Sequence, residues 1–226
     1  MQNLPRSSRH ERAVPATFKA TVRVSLAQAS GTPHAFDDAT MRRVDTVRPR
    51  VSYADLQRIP EDGNRYELYD GELYVVPSPL PRHQRISKRL FLALFELTRQ
   101  KGGEVFYAPF DIVLSEYNVV QPDLIYFGPE SARRIRPREH VRFPPDMAIE
   151  VLSPSTARND RGRKRDLMAT HGVPEYWVVD PDSHHIELSV LRQGTYGTPQ
   201  IVSGGRCVSA TVGLEIDLVE LFRDLD

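Results

Sequence analysis

Four side chains have types and settings that could do chemistry. Glu150 lies within the apolar run MAIEVL, Asp123 opens the apolar part of QPDLIYF, and Glu67 lies within YELY. A carboxylate inside an apolar strand is costly unless it is paired or bound to a cation. With the two-residue period of a strand, Ala148, Glu150 and Leu152 share one face, so Glu150 points with apolar neighbours and needs a partner. Lys164 is the fourth candidate. Lys164, Leu167, Met168 and His171 follow i, i+3, i+4, i+7 spacing, which puts the lysine on the apolar stripe of a helix. A lysine directed at a sheet, near acids, could hold a phosphate or an attacking water. Each residue also has an ordinary reading: an acid at a strand end or paired with an arginine, and a lysine whose stem covers apolar surface while its head reaches solvent.

Other reactive types carry less. Ser153 and Ser155 in EVLSPST have no histidine in a readable triad relation, and Ser153 is expected to shape a turn. Tyr176 and Trp177 are expected to fill the core. The single cysteine, Cys207, sits in the alternating run RCVSATV and reads as strand filler. One cysteine permits neither an internal disulfide nor a cysteine-based zinc site, a usage expected of a cytoplasmic protein.

The elements that must position these residues are legible from pattern. Ser52 caps a short helix, SYADLQRI. Two short strands flank Asp70-Gly71, the pair that supplies positive φ to a tight hairpin. Ile86, Leu90, Ala93, Leu94 and Leu97 form one helical stripe, stopped by Gly102 and Gly103. Strand-like runs follow in EVFYAPFDIVL, QPDLIYF and DMAIEVL. A second helix is expected from about Asp160 to His171, closed by Gly172 and Pro174. Further strands are read in EYWVVD, HIELSVL, PQIVS and RCVSATV, then a short final helix in DLVELFRDL. The pattern predicts one α/β (α+β) domain over residues 46–226, a mixed sheet flanked by helices.

Lys and Arg total 30 and Asp and Glu total 30, so the 226-residue chain has no formal net charge. That argues against a general polybasic coat for nucleic acid or acidic membranes but leaves room for a local basic groove. The balance hides an asymmetry: residues 1–50 hold nine basic and four acidic side chains, and the remainder 21 and 26. Residues 1–45 are expected to be a disordered extension or a mis-assigned start. No stretch approaches the ~20 apolar residues a membrane helix needs.

The runs YELYDGELYVVPSPLPRHQ, NVVQPDLIYF, PDMAIEVLSPSTARNDRGRKRDL and HGVPEYWVVDPD together resemble the Uma-type restriction-endonuclease-like proteins of the PD-(D/E)XK nuclease superfamily, over about residues 50–222. The resemblance implies a restriction-endonuclease-like core whose acids on adjacent strands bind a divalent metal, Mg²⁺ with Mn²⁺ as a substitute. Asp123 matches the Pro-Asp element and Glu150 the acid of the next motif. Leu152 stands where the superfamily has lysine, and Lys164 matches a lysine displaced to the following helix. Catalytic roles thus fall to Asp123, Glu150 and Lys164, and metal binding to Glu67, Asp123 and Glu150. His83 matches a recurrent position that could bind phosphate or metal, or make a structural hydrogen bond. Met168 departs from a tyrosine common in the family's second helix.

The leading expectation is a metal-dependent DNA endonuclease. The alternatives are a catalytically silent nuclease-fold module that binds nucleic acid or protein, and a paired-carboxylate enzyme on another substrate such as a glycoside. Arg161, Arg163 and Arg165 could contact phosphates or be solvated surface charge. Cleavage of both strands would suit a homodimer.

Overall fold

The computed structural model describes residues 50–225; the expectation for residues 1–45 lies outside them. The first helix, α1 (Tyr53–Leu56), begins at a reciprocal cap in which the Ser52 hydroxyl accepts from the Asp55 amide and the Asp55 carboxylate accepts from the Ser52 amide. Strands β1 (Arg65–Tyr69) and β2 (Glu72–Val76) then pair antiparallel through Asp70-Gly71, whose φ angles of 51° and 80° are those the tight turn requires. A Cβ on Gly71 would also lie 2.6 Å from the Arg50 Cβ, so bulk as well as φ selects glycine there.

Helix α2 (Pro81–Lys101) starts with proline at its first turn and buries Ile86, Leu90, Leu94 and Leu97. The run EVFYAPFDIVL reads as one strand but forms two: β3 (Glu104–Tyr107) and β4 (Ile112–Ser115), in different sheets. Pro109 has no amide hydrogen for a ladder, so the run divides there. Strands β5 (Asn118–Val120) and β6 (Leu124–Phe127), the short helix α3 (Pro129–Ala132) and β7 (Met147–Val151) follow. Helical turns α4 (Ala157–Asn159), a π-helical turn (Asp160–Lys164) and α5 (Arg165–Thr170) run on continuously. The chain ends with β8 (Glu175–Asp180), β9 (His185–Arg192), β10 (Thr195–Tyr196), β11 (Gln200–Val202), β12 (Arg206–Val208), β13 (Glu215–Asp217) and α6 (Leu218–Phe222).

The central sheet has seven strands, ordered β10-β9-β8-β7-β6-β3 with β11 beside β9. Only β7 and β8 pair in parallel within it, joined by the helical segment that carries Lys164, as a crossover demands. The hairpin belongs to a second sheet, β2-β1-β5-β4, that the sequence pattern does not separate from the first. One face of the central sheet packs α2 and α6 through Ile149, Val151, Trp177 and Val179. The other packs Ala148, Leu152, Tyr176 and Val178 against Met168 and Ala169. Tyr176, Trp177 and Cys207 are fully buried, as their patterns predict, and burial pushes the Cys207 thiol up to about 12.

Glu175 at the start of β8 is a buried carboxylate with no ion pair among the described residues. It accepts hydrogen bonds from Trp177 Nε1, the Ser209 hydroxyl, and both the amide and the hydroxyl of Thr211. These donors need their acceptor, and the acceptor needs them. Glu175→Ala is expected to destabilise the domain by about 3 kcal/mol, read as a lower urea midpoint at unchanged slope.

Candidate functional site

Strand register brings the first two acids together. Leu124 pairs with Ile149, so Asp123, one residue before β6, lies beside the Glu150–Val151 end of β7. The Val151 amide donates to Asp123 Oδ2 at 2.8 Å, and His83 Nε2, one turn into α2, stands 2.9 Å from the same oxygen. The Ser87 hydroxyl lies 3.3 Å from the other ring nitrogen of His83. His83 therefore orients Asp123, a link its helix-start position alone could not reveal.

Glu150 faces the same side of the sheet as Ala148 and Leu152, as the strand period requires. That side meets the π-helical turn. Lys164 Nζ lies 2.8 Å from Glu150 Oε1, 2.9 Å from Glu67 Oε1 and 3.7 Å from Asp160 Oδ1. All four residues are at least 96% buried: Glu67 3%, Glu150 4%, Asp160 2% and Lys164 4% exposed. Glu67 is further fixed by the Gln121 amide at 2.7 Å and the Tyr69 hydroxyl at 2.7 Å, and Asn159 Nδ2 donates to that hydroxyl.

The electrostatics follow from burial and sign. Burial raises the Glu150 carboxyl well above the usual carboxylate range, Lys164 opposes this, and Asp160, Asp123 and Glu67 add to it. Burial pulls the Lys164 ammonium down, but Glu150 and Glu67 outweigh it and leave it well above the usual lysine range. Burial likewise raises Asp160 against the pull of Lys164 and a hydrogen bond with Thr156. One buried ammonium thus faces three carboxylates, so the cluster favours taking up a further positive charge, whether a proton or a metal cation.

The four residues singled out from sequence, Glu67, Asp123, Glu150 and Lys164, come from separate elements and line one cleft of about 310 Å³. Asp160 and Tyr69 belong with them and were not singled out. Asp160 could have been found, because it precedes Lys164 by four residues and shares its helix face. Three arginines around Lys164 are taken up by protein groups, while Arg158, at the start of the segment, is exposed with no ion pair among the described residues. Arg161 pairs with Asp180 and Glu187, Arg163 with Glu72 and Asp70, and Arg165 donates to Ser189 and the Gly197 carbonyl. Ser153 meets the Ser155 and Thr156 hydroxyls and makes no triad.

Among the described residues, no group of three or more His, Cys, Asp or Glu side chains forms a ready cage for a metal ion. The donor chemistry nevertheless fits a hard divalent cation. The donors are carboxylate oxygens at a cleft, and Glu150 Oε1 is buried without a hydrogen bond despite its approach to Lys164. Mg²⁺ commonly rests on one or two carboxylates and completes its shell with water and substrate oxygens, so a full protein cage is not required.

A mixed sheet flanked by helices, with two acids side by side at the ends of neighbouring strands and a lysine from the crossover helix beside one of them, is a restriction-endonuclease-like core. The chain belongs to the Uma2 family, described as "Putative restriction endonuclease", whose profile matches residues 53–221. Among solved structures it is similar to a crystal structure from Anabaena variabilis ATCC 29413, described as a putative nuclease belonging to DUF820. The TM-score is 0.66 at 19% identity, covering 78% of this chain and 99% of that one. No curated protein matches the sequence.

Proposed function

We propose that the protein is a metal-dependent endonuclease that hydrolyses phosphodiester bonds of DNA at the Asp123–Glu150 cleft. The observation that carries this reading is the meeting of Glu67, Asp123, Glu150 and Lys164 in that cleft, with Lys164 Nζ within 2.9 Å of two of the acids. Asp123 and Glu150 would hold Mg²⁺ or Mn²⁺, with Glu67 beside them. The cation would polarise a phosphoryl oxygen and acidify water. His83 holds Asp123 through Oδ2, leaving Oδ1 for the cleft. Lys164 places a fixed positive charge beside Glu150, where it would stabilise negative charge developing on the phosphoryl oxygens or orient the attacking water. Double-strand cleavage would call for two such sites, most simply in a homodimer.

A second reading is a nuclease-fold module that binds without cleaving. One observation favours it: the Lys164 ammonium already pairs with Glu67 and Glu150, two of the three proposed metal ligands. Supercoiled plasmid separates the readings. Nicking should be absent in EDTA and appear with Mg²⁺ or Mn²⁺. Binding with no nicking under any divalent cation would favour the silent module.

A further inference from the structure

Arg161, Arg163 and Arg165, the arginines closest in sequence to Lys164, are held by protein acceptors, so the cleft's own helical segment offers one exposed guanidinium without an ion pair among the described residues, that of Arg158. A denser set of guanidiniums lies elsewhere. The connection between β6 and β7 contains Arg133, Arg134, Arg136, Arg138 and Arg142, all exposed. Only Arg133 has a carboxylate within ion-pair distance among the described residues, that of Glu130 at 2.7 Å. Arg134 and Arg142 rest on aromatic rings instead, 3.9 Å above Phe143 and 5.3 Å from the Tyr53 ring centre. The rings hold the guanidiniums without neutralising them.

This is a built surface rather than a loose charged loop. Val141 is buried and pairs with Ile112 in a parallel bridge, and its carbonyl accepts from the Val113 amide. Ile135 and Phe143 pack against the core, so apolar residues face inward while the arginines face out. Its returning limb lies beside β4, and β5 and β1 follow in order, so Val141 is three strand spacings from the strand bearing Glu67. At about 4.8 Å each that is roughly 14 Å. A B-DNA major groove is about 12 Å wide.

We infer that the arginine-rich connection, residues 133–142, binds the phosphate backbone of duplex DNA away from the scissile bond and seats the duplex across the cleft. The inference rests on the nuclease reading for its substrate, but the surface acts by charge and needs no catalysis. Neutralising phosphates releases counterions, so its contribution must be salt-dependent and indifferent to sequence.

The test uses the full chain with Arg134, Arg136 and Arg138 changed together to alanine, and the same three changed to lysine. Anisotropy of a labelled duplex in EDTA at low salt should show about tenfold or more weaker binding for the alanine variant. The slope of log affinity against log salt should be shallower by about 2 to 3. The lysine variant should retain most of both, since backbone contacts need charge more than fork geometry. Matching circular dichroism and thermal midpoints secure the comparison. Equal affinity and salt slope for wild type and alanine variant, or no binding by the wild type, would overturn the inference. Hydrolysis of bis(p-nitrophenyl) phosphate with Mn²⁺ reports the cleft separately, because so small an ester does not span to the connection. Its absence in the wild type would remove the nuclease reading and leave a loop-dependent binding result standing.

Discussion

Lys164→Met is expected to destabilise the domain by about 3–5 kcal/mol near neutral pH, the usual penalty for stripping a buried charge of its partner. Methionine fills most of the lysine's volume, so the loss comes from charge rather than from a cavity. Glu67, Glu150 and Asp160 would be left with no cation among them, at 3%, 4% and 2% exposure. The pH dependence is a sharper readout than the size. In the native domain the Lys164 pKa is raised, so its contribution is intact through neutral pH and fades only as pH rises past the lysine range. Glu150 and Asp160 are raised acids, so the folded state holds their protons more tightly than the unfolded chain does. That favours folding at low pH and is lost as pH rises through their folded pKa values. Removing Lys164 takes away the pull that keeps both acids down. The variant should therefore recover stability between about pH 8 and about pH 5, and the gap to wild type should narrow. Urea titrations at the two pH values measure it. A gap that is small, or the same at both, would mean that Lys164 is not the charge that holds this cluster.

Glu150→Gln is expected to have the opposite profile: little effect on folding and a large one on chemistry. The amide keeps the shape of the side chain and removes a carboxylate that burial already disfavours, while Lys164 keeps Glu67 and Asp160. Thermal midpoints should change by a few degrees at most. Mn²⁺ binding by calorimetry should weaken by at least about tenfold, since even groups that merely support metal ligands are worth that much. Cleavage should fall by about 10² to 10³, the scale of losing one preorganised electrostatic group at a reacting phosphate. Unchanged Mn²⁺ affinity would move the cation away from Glu150.

The two profiles also mark what sequence could and could not convey. The hairpin was legible because Asp70-Gly71 fixes local φ, and the orientation of Glu150 because strand faces alternate every two residues. Lys164 was legible from its place on an apolar stripe. The limits are non-local or geometric. The sheet pairing that places Asp123 beside Val151 joins residues 28 apart, and His83 reaches Asp123 across 40. Nothing in the local pattern states either. The π-helical turn was unreadable for another reason. Its five residues, DRGRK, carry no local signal that separates a π-helical turn from an α-helical one, and the segment begins at Ala157 rather than Asp160. Arg161 and Arg163 looked available to phosphates because their partners, Asp180, Glu187 and Glu72, arrive from other strands. The exposed arginines at 133–142 carry no periodic signal, and only the bound rings and the buried Val141 distinguish them from a solvated loop.

The neutral total charge takes on a different meaning in this light. An acidic cleft would repel a phosphate on its own, so attraction would fall to separate arginines and local neutralisation to a divalent cation. If phosphodiester hydrolysis occurs between Asp123 and Glu150, it needs both carboxylates. Conversion of supercoiled to nicked plasmid, with Mg²⁺ or Mn²⁺, should be compared for wild type, Asp123→Asn and Glu150→Gln, each checked for native circular dichroism. Divalent-dependent nicking by the wild type is expected, with a fall of at least about 10² in both folded variants. Wild-type nicking left unchanged by both substitutions would place hydrolysis away from Asp123 and Glu150.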